Sequence, residues 1–437
     1  MSAFGHILII GAGAFGASAA LELEQLAHRV TVLDQSPDGY ASVSAASHDL
    51  NKIIRSDYTI HPLYAPHFHE VGIFFRSGQP SSVDAPWIKA GVENALQPVA
   101  HAFGTPEAPS PRPTARAITT AEESVHLFPE PLRPHLGPTY TSFGHQAQVG
   151  YFNPQAGWAN ARDATFAVLA EAQRLGATVH SNVQVVRFLY ASSPGADGKP
   201  RVCGAVASDG RTFCADHVVL AAGSWMRSLL DQCQLPLPPG LLKPSAHCVV
   251  TLQIQPKVAK LFRGTPVLFD MNTGMYAFEP NAQGILKCAI HGTGSTTPEP
   301  TRTTQTSFPA ADGHPHVNVM LWELQKMYPV LRLNEPGSPA RIHYTRICWY
   351  CDTRDENFLI DFHPAVDGLL VALIVSRLLG IQNDTFIAPD YGLSEHQRRV
   401  FSFAHHTHAD ARVNVSVPID SMRIGNLPPA KVPSPKL

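Results

Sequence analysis

The stretch His6-Ile7-Leu8-Ile9-Ile10-Gly11-Ala12-Gly13-Ala14-Phe15-Gly16, closing at Thr31-Val32-Leu33-Asp34, decides the fold. It reads strand, glycine turn, helix, strand. The apolar run 7–10 is that of a strand buried on both faces. Residues 17–26, rich in Ala, Leu and Glu, predict the crossover helix, and β-branched 30–33 predict a second, parallel strand. Gly11 permits the tight bend, Gly13 lets the backbone approach a pyrophosphate, and Gly16 lets helix pack on strand. The helix-start N–H groups around Ala14 and Phe15 then face the phosphates. Asp34, eighteen residues past Gly16, is in register to accept hydrogen bonds from ribose hydroxyls. The pattern predicts a dinucleotide-binding unit.

Working outward, 437 residues are enough for two domains with real cores. A formal charge of −2 gives no electrostatic ground for expecting nucleic acid or an anionic membrane surface. No apolar run approaches the ~20 residues of a membrane span, and the N-terminus enters a strand without a basic leader, so the expectation is a protein kept in the cytoplasm. Seven cysteines, an odd number, lie between positions 203 and 351 without the paired CxxC spacing of a structural zinc site. They argue against a disulfide framework as well. Among 22 histidines, His405-His406 with His408 is the one cluster; a solvated loop is favoured there over a metal site, and no metal is expected.

The loop 42–55 carries small residues able to pass close to a flat ring, then Lys52 and Arg55 three residues apart. That spacing fits one helical face or one loop wall aimed into a cleft, and equally a solvated basic surface. Residues 60–145, rich in proline, read as irregular cover. From Tyr151 regularity returns: Gly157-Trp158-Ala159-Asn160 reads as a turn into a helix over 161–175, Gly176 ends it, and 185–218 reads as a β meander with turns at Pro194-Gly195 and Asp209-Gly210. The apolar run 217–222, ending at Gly223-Ser224-Trp225, predicts a strand in the same parallel sheet as the first, so the nucleotide unit is discontinuous. Between 236 and 345 the pattern is that of short antiparallel strands, forming a second, mainly antiparallel sheet that walls the cleft. In it Lys287 sits within Ile285-Leu286-Lys287-Cys288-Ala289-Ile290, pointing either into the cleft or to solvent from an edge strand. Tyr276 and Phe278 read as strand core or as an aromatic wall.

Together these motifs resemble the fungal fructosyl-amine oxidases (amadoriases) and the related saccharopine, pipecolate and sarcosine oxidases of the D-amino-acid-oxidase superfamily. The resemblance is carried, in order, by the N-terminal glycine motif, Ser47-His48-Asp49-Leu50-Asn51-Lys52-Ile53-Ile54-Arg55, Gly157-Trp158-Ala159, Ala221-Ala222-Gly223-Ser224-Trp225, Gly284-Ile285-Leu286-Lys287 and Arg346-Ile347-Cys348-Trp349-Tyr350-Cys351-Asp352-Thr353, over residues 6 to about 372. It implies an α/β, Rossmann-type FAD-binding domain from segments 1–60, 146–235 and 345–400. Segments 61–145 and 236–344 would form the substrate domain, and 401–437 an irregular tail.

The resemblance also implies site roles. FAD would be attached through Cys348, whose other reading is a buried packing cysteine. Lys287 would activate oxygen above the flavin, Lys52 would be a second cation near the ring, and Arg55 would grip the substrate carboxylate. Gln35, Ser42, Ser47, Asn51, Val185, Ala222, Gly223, Trp225 and Asp352 join the cofactor contacts. The implied reaction takes a secondary amine of an amino acid to an imine, with O2 as partner and H2O2 as product, in a monomer serving catabolism or a secondary-metabolite pathway. After Gly368-Leu369-Leu370-Val371-Ala372 the chain departs from this pattern: Leu373-Ile374-Val375-Ser376-Arg377 stands where relatives carry a Gly-Ser-Gly-His turn. That departure leaves open an altered gene model, such as a retained intron or a shifted frame, and equally a flavin-binding paralogue of impaired activity. The terminal Pro435-Lys436-Leu437 only approximates a peroxisomal address.

Overall fold

Ile7 to Ile10 are at most 5% exposed because the strand they form, β1 (His6–Ile10), lies in the middle of a parallel sheet. In the computed structural model β1 pairs in parallel with β2 (Arg29–Leu33) on one side and β13 (His217–Leu220) on the other. β9 (Thr178–His180) extends the sheet beyond β2, and β20 (Leu369–Ala372) beyond β13. β19 (Ile360–Phe362), antiparallel, closes the edge, giving the order β19-β20-β13-β1-β2-β9. The residues described are 5–54, 68–69, 71–77, 115–137, 149–154, 156–195, 198–270, 273–291, 315–333, 335–353, 359–372, 381–382 and 385–386.

Helix α1 (Ala14–Gln25) begins three residues before the expected Ala17, directly at the glycine turn. Its buried Ala19, Ala20 and Leu23 pack against Val168, Leu169 and Ala172 of α2 (Ala161–Leu175) over one face of the sheet. α2 spans the expected residues. Asn160 caps its start by accepting the Asp163 N–H at 3.2 Å, and Gly176, at φ +140°, ends it. The meander forms as expected from β10 (Val185–Tyr190), β11 (Val202–Ala207) and β12 (Thr212–Cys214).

The second sheet has eight strands. β14 (Leu242–Ile254) and β18 (Ala340–Thr353) pair antiparallel along their whole length, from Leu242 opposite Thr353 to Ile254 opposite Ala340. β17 (Ile285–Ile290), β16 (Met275–Ala277) and β15 (Val267–Asp270) follow. Then come β5 (Ile73–Ser77), parallel to β15, and β7 (Val149–Asn153) and β6 (Arg116–Ile118). Alternation divides the two faces of β14. Ala246, Cys248, Val250, Leu252 and Ile254 form a core with Val317, Met320, Leu324 and Met327 of α3 (Pro315–Met327). On the other face Val249 packs with Cys348, Tyr276 and Phe278 against Trp158. Trp158 belongs to the small sheet of β3 (Lys52–Ile54), β8 (Gly157–Ala159) and β4 (Phe68–His69).

Four expectations change. Gly157–Ala159 is a strand, because Trp158 has a partner strand on each side. The stretch read as cover supplies β5 and β6 to the large sheet, apolar Ile73, Phe74 and Phe75 being buried there. Helix α3 falls inside the run read as strands only. The expected break at 345 lies within β18, so residues 345–353, like β7, belong to the eight-stranded sheet. Arg55, the histidine cluster at 405–408 and the departing stretch from Leu373 lie outside the described residues, apart from the short pair Ile381–Gln382 and Thr385–Phe386.

Close approach fixes two of the motif glycines. A Cβ on Gly16 would lie 1.8 Å from the Gly11 carbonyl oxygen, and one on Gly11, at φ +108°, would lie 2.5 Å from the Ala221 carbonyl oxygen. By contrast Gly210, at φ +87°, has open space around it. Gly16→Ala should therefore cost roughly 2–3 kcal/mol of stability by overpacking, and Gly210→Ala about 1 kcal/mol from backbone strain alone. Thermal unfolding followed by circular dichroism measures both; equal losses in Tm would contradict the close-approach argument.

Candidate active site

A cavity of about 860 Å³ opens at the carboxyl ends of β1, β2 and β13, where Ile10, Leu33 and Ala221 border it. Parallel sheets place ligands at that edge, and the volume suits a large cofactor. Gly11, Gly13, Ala14 and Phe15 line it from the glycine turn, and Asp34 and Gln35 from the end of β2. Ser42 and Ser47 contribute from the loop beyond, and Lys52 from the start of β3. Val185, Ala222, Gly223 and Trp225 form the wall opposite, and Asp352 comes from β18. Fourteen of the sequence-selected residues thus share one cavity. Gly16 lies beneath the turn, and Asn51, Lys287 and Cys348 stand behind the lining.

The cradle fits a dinucleotide. No side chain caps α1 and its first turn holds no acid, so its N–H groups are left for a ligand. A Cβ on Gly13 would meet nothing but Ser47 Oγ at 3.1 Å. Asn51, 1% exposed, has both side-chain amide atoms without a partner. A buried amide in that state is poised for a ligand. Asp34 has a role beyond the one expected of it. Its carboxylate accepts the N–H of Ala12 at 2.7 Å and of Ser36 at 2.8 Å, bracing the glycine turn from below. Burial raises its pKa, opposed by these hydrogen bonds.

Behind the lining lies a cluster of charge. Lys287 is fully buried on β17, a central strand, which excludes the solvent-edge reading. Its ammonium donates to Asp49 Oδ2 at 2.6 Å and to the Asn51 carbonyl at 2.5 Å. Asp49 also faces Lys52 Nζ at 3.2 Å and Arg346 Nη2 at 3.2 Å. Burial works to raise the Asp49 pKa, but the three cations, Lys287 foremost, override it and hold the carboxyl well below the usual range. Burial pulls Lys287 down to about 8, with Asp49 opposing and Lys52 adding to the fall.

Lys52 is on a strand, not a helical face. Its Nζ reaches Tyr350 Oη at 3.2 Å and Cys348 Sγ at 3.6 Å. Cys348 is 1% exposed, while Cys351 lines the cavity on the alternate side of β18. Tyr276 and Phe278 flank the Lys287 ammonium at 5.8 and 5.0 Å, the range of cation–π contact. His247 stacks on Tyr350 and meets Ser245 Oγ at 3.0 Å; burial lowers its pKa to about 3, so it is neutral at physiological pH. Asp49, Arg346 and Tyr350 were not selected from the sequence. The signal was present for Asp49, an acid in the same loop as Lys52, and for Arg346, two residues before Cys348.

The comparisons with known proteins agree with this geometry. A family model described as FAD dependent oxidoreductase matches residues 6–378. L-saccharopine oxidase of Schizosaccharomyces pombe is 24% identical over 401 residues, covering 84% of each chain. An amino acid oxidase of Aspergillus flavus is 25% identical over 433 residues, covering 82% of this chain and 86% of its own. The crystal structure of Amadoriase I, a fructosyl amine:oxygen oxidoreductase from Aspergillus fumigatus, superposes with a TM-score of 0.64 at 26% identity, covering 86% of this chain and 82% of that one. With the family model spanning most of its length and the cofactor cradle in place, the chain belongs to the FAD-dependent oxidoreductases and is an enzyme of that class.

Proposed function

We propose that the enzyme oxidises a secondary amine of an amino acid to the imine, with O2 as the final acceptor and H2O2 as the second product. The observation that carries this reading is the group of three cations, Lys52, Lys287 and Arg346, around the single carboxylate of Asp49 at the rear of the cofactor cavity. Bound flavin supplies the acceptor for the hydride and the route of electrons to oxygen.

The chain's own residues do the rest. The N–H groups at the start of α1 and the close approach at Gly13 hold the pyrophosphate, Asp34 offers its remaining lone pairs to the ribose, and Asn51 offers its free amide to the ring system. Ser42, Ser47, Val185, Ala222, Gly223, Trp225 and Asp352 enclose the cofactor. Excess positive charge attracts the substrate carboxylate, with Arg55 as a further partner, and lowers the amine pKa so that the reactive, neutral form accumulates. Lys287 holds a fixed positive charge where negative charge develops on oxygen, at no reorganisation cost, since its position is already set by Asp49 and Asn51. Sarcosine, pipecolate, saccharopine, fructosyl amino acids and N-methyl aromatic amino acids all present the required amine and carboxylate. Oxygen consumption measured across that set should single out one class; no consumption with any of them would overturn the proposal.

Attachment of the cofactor to Cys348 predicts that acid precipitation leaves the yellow chromophore in the pellet. Cys348→Ala should release it to the supernatant, whereas Cys351→Ala, on the alternate side of β18, should retain it. Colour in the wild-type supernatant, or release by the Cys351 variant alone, would refute attachment at Cys348.

Lys287→Met keeps the bulk and removes the charge. Reoxidation by oxygen should slow by on the order of 10²–10³, as when one preorganised charge-stabilising donor is lost, while anaerobic reduction by substrate changes far less. Stopped-flow measurement of the two half-reactions decides; equal slowing of both would make Lys287 a substrate or packing residue.

A further inference from the structure

We propose that Asp49 is the positioning residue of this site, its one carboxylate dividing between Lys287, Lys52 and Arg346 and thereby holding the Lys287 ammonium charged and fixed at a single point. The inference rests on the function proposed above only for the use to which Lys287 is put.

The geometry gives Asp49 this place. Its side chain is 2% exposed, and its two oxygens are shared: Oδ2 between Lys287 at 2.6 Å and Lys52 at 3.2 Å, Oδ1 between Arg346 at 3.2 Å and the Leu50 N–H at 2.9 Å. The three cations arrive from separate elements, β17, β3 and β18, so the carboxylate is where the cofactor loop meets the large sheet. Its own backbone is fixed as well, the Asp49 carbonyl accepting the Arg162 N–H at 3.0 Å from the first turn of α2.

Among the described residues Asp49 is the main group that keeps Lys287 charged. Of the groups facing it, Lys52 and Arg346 are cations. Tyr276 is a phenol whose pKa burial raises, so it stays neutral, as does Tyr350 beyond it. Phe278 offers only a ring face and the Asn51 carbonyl only a dipole, while Cys348, on β18 with β14 between it and β17, favours the charged form less than Asp49 does. Asp49 alone among these described groups supplies a full opposite charge. A fully buried ammonium without a counterion sheds its proton rather than remain charged. Because Lys52 stands as a like charge beside the same carboxylate oxygen, Lys287 holds its proton less firmly than in an isolated pair. The site is therefore set near the edge of neutrality for Lys287.

The test uses full-length protein as purified, with [ε-15N]lysine labelling and the Lys287 signal assigned by its loss in Lys287→Met. Wild-type Lys287 should titrate near pH 8. In Asp49→Asn, equal in size and without charge, it should titrate at least about one unit lower, a tenfold change in the ionisation equilibrium. The oxygen-dependent rate should follow, falling at correspondingly lower pH, because the charged form is the active one and is lost as pH rises through the lysine pKa. A merely structural role for Asp49 would lower the rate without moving that inflection. An unchanged Lys287 titration in Asp49→Asn would overturn the proposal. Should that variant fail to fold, Lys52→Met gives the answer: with one competitor removed, Lys287 should titrate above its wild-type value, and an unchanged or lower value would overturn the proposal. The titration is read whether or not any amine is oxidised, so a failed substrate screen leaves it standing and a failed titration leaves the substrate reading standing.

Discussion

A carboxylate withdrawn from water needs opposite charge close by, and Asp49 obtains it from three directions. An unpaired ion in such a place would carry a penalty of several kcal/mol even after relaxation. The loop bearing Asp49 therefore has one stable position, the one where β17 delivers Lys287 and β18 delivers Arg346. Backbone contacts run along the same seam: the Ser44 carbonyl accepts the Trp349 N–H at 3.0 Å, Ala45 bridges to Trp349, and the Arg346 guanidinium donates to the Val43 carbonyl. Since this loop lines the cofactor cavity through Ser42 and Ser47 and leads into Lys52 of β3, the shape of the cavity and the placing of the cations follow from one electrostatic requirement.

The parallel sheet was legible because its signals are local. Four consecutive apolar residues, three glycines at set spacing and an acid at the end of the next strand define β1, α1 and β2 within thirty-four residues. The structure adds that the turn is braced from below by the Asp34 carboxylate and wedged between Ala221 and α1 tightly enough to exclude a Cβ at Gly11 and Gly16. α2 was legible to the residue, since Asn160 and Gly176 mark both ends by side-chain capping and positive φ. Such marks need no knowledge of the remainder of the chain.

The second sheet was harder, for reasons of distance along the chain. β14 and β18 pair over their full length although nearly a hundred residues separate them, and β5 joins β15 from a proline-rich region. Neither partner announces the other. The residue before a proline leans toward extended structure, so a stretch dense in proline can hide short strands as readily as loops. Gly157-Trp158-Ala159 misled in the same way, since a glycine before a helix reads as a turn until the strands flanking Trp158 are known. For the site, residue types and order sufficed to select the lining. Burial did not follow from them: whether Lys287 faced solvent or interior depended on β14 and β16 lying on either side of its strand.

The same burial explains why an acid essential to the arrangement drew no notice in the sequence. A negatively charged substrate and a flavin call for cations and nucleophiles, and those residue types mark themselves in a sequence. A counterion is dictated by the cations instead, once they are dry. Three cations and one carboxylate leave the cluster with positive charge in excess, in surroundings where Tyr276, Tyr350 and His247 are all neutral at physiological pH. Dry excess charge of one sign is unstable unless something of the opposite sign completes it. Among the described residues the cluster holds one carboxylate, so the excess positive charge at the rear of the cavity and the fixed position of the Asp49 loop have a single electrostatic origin.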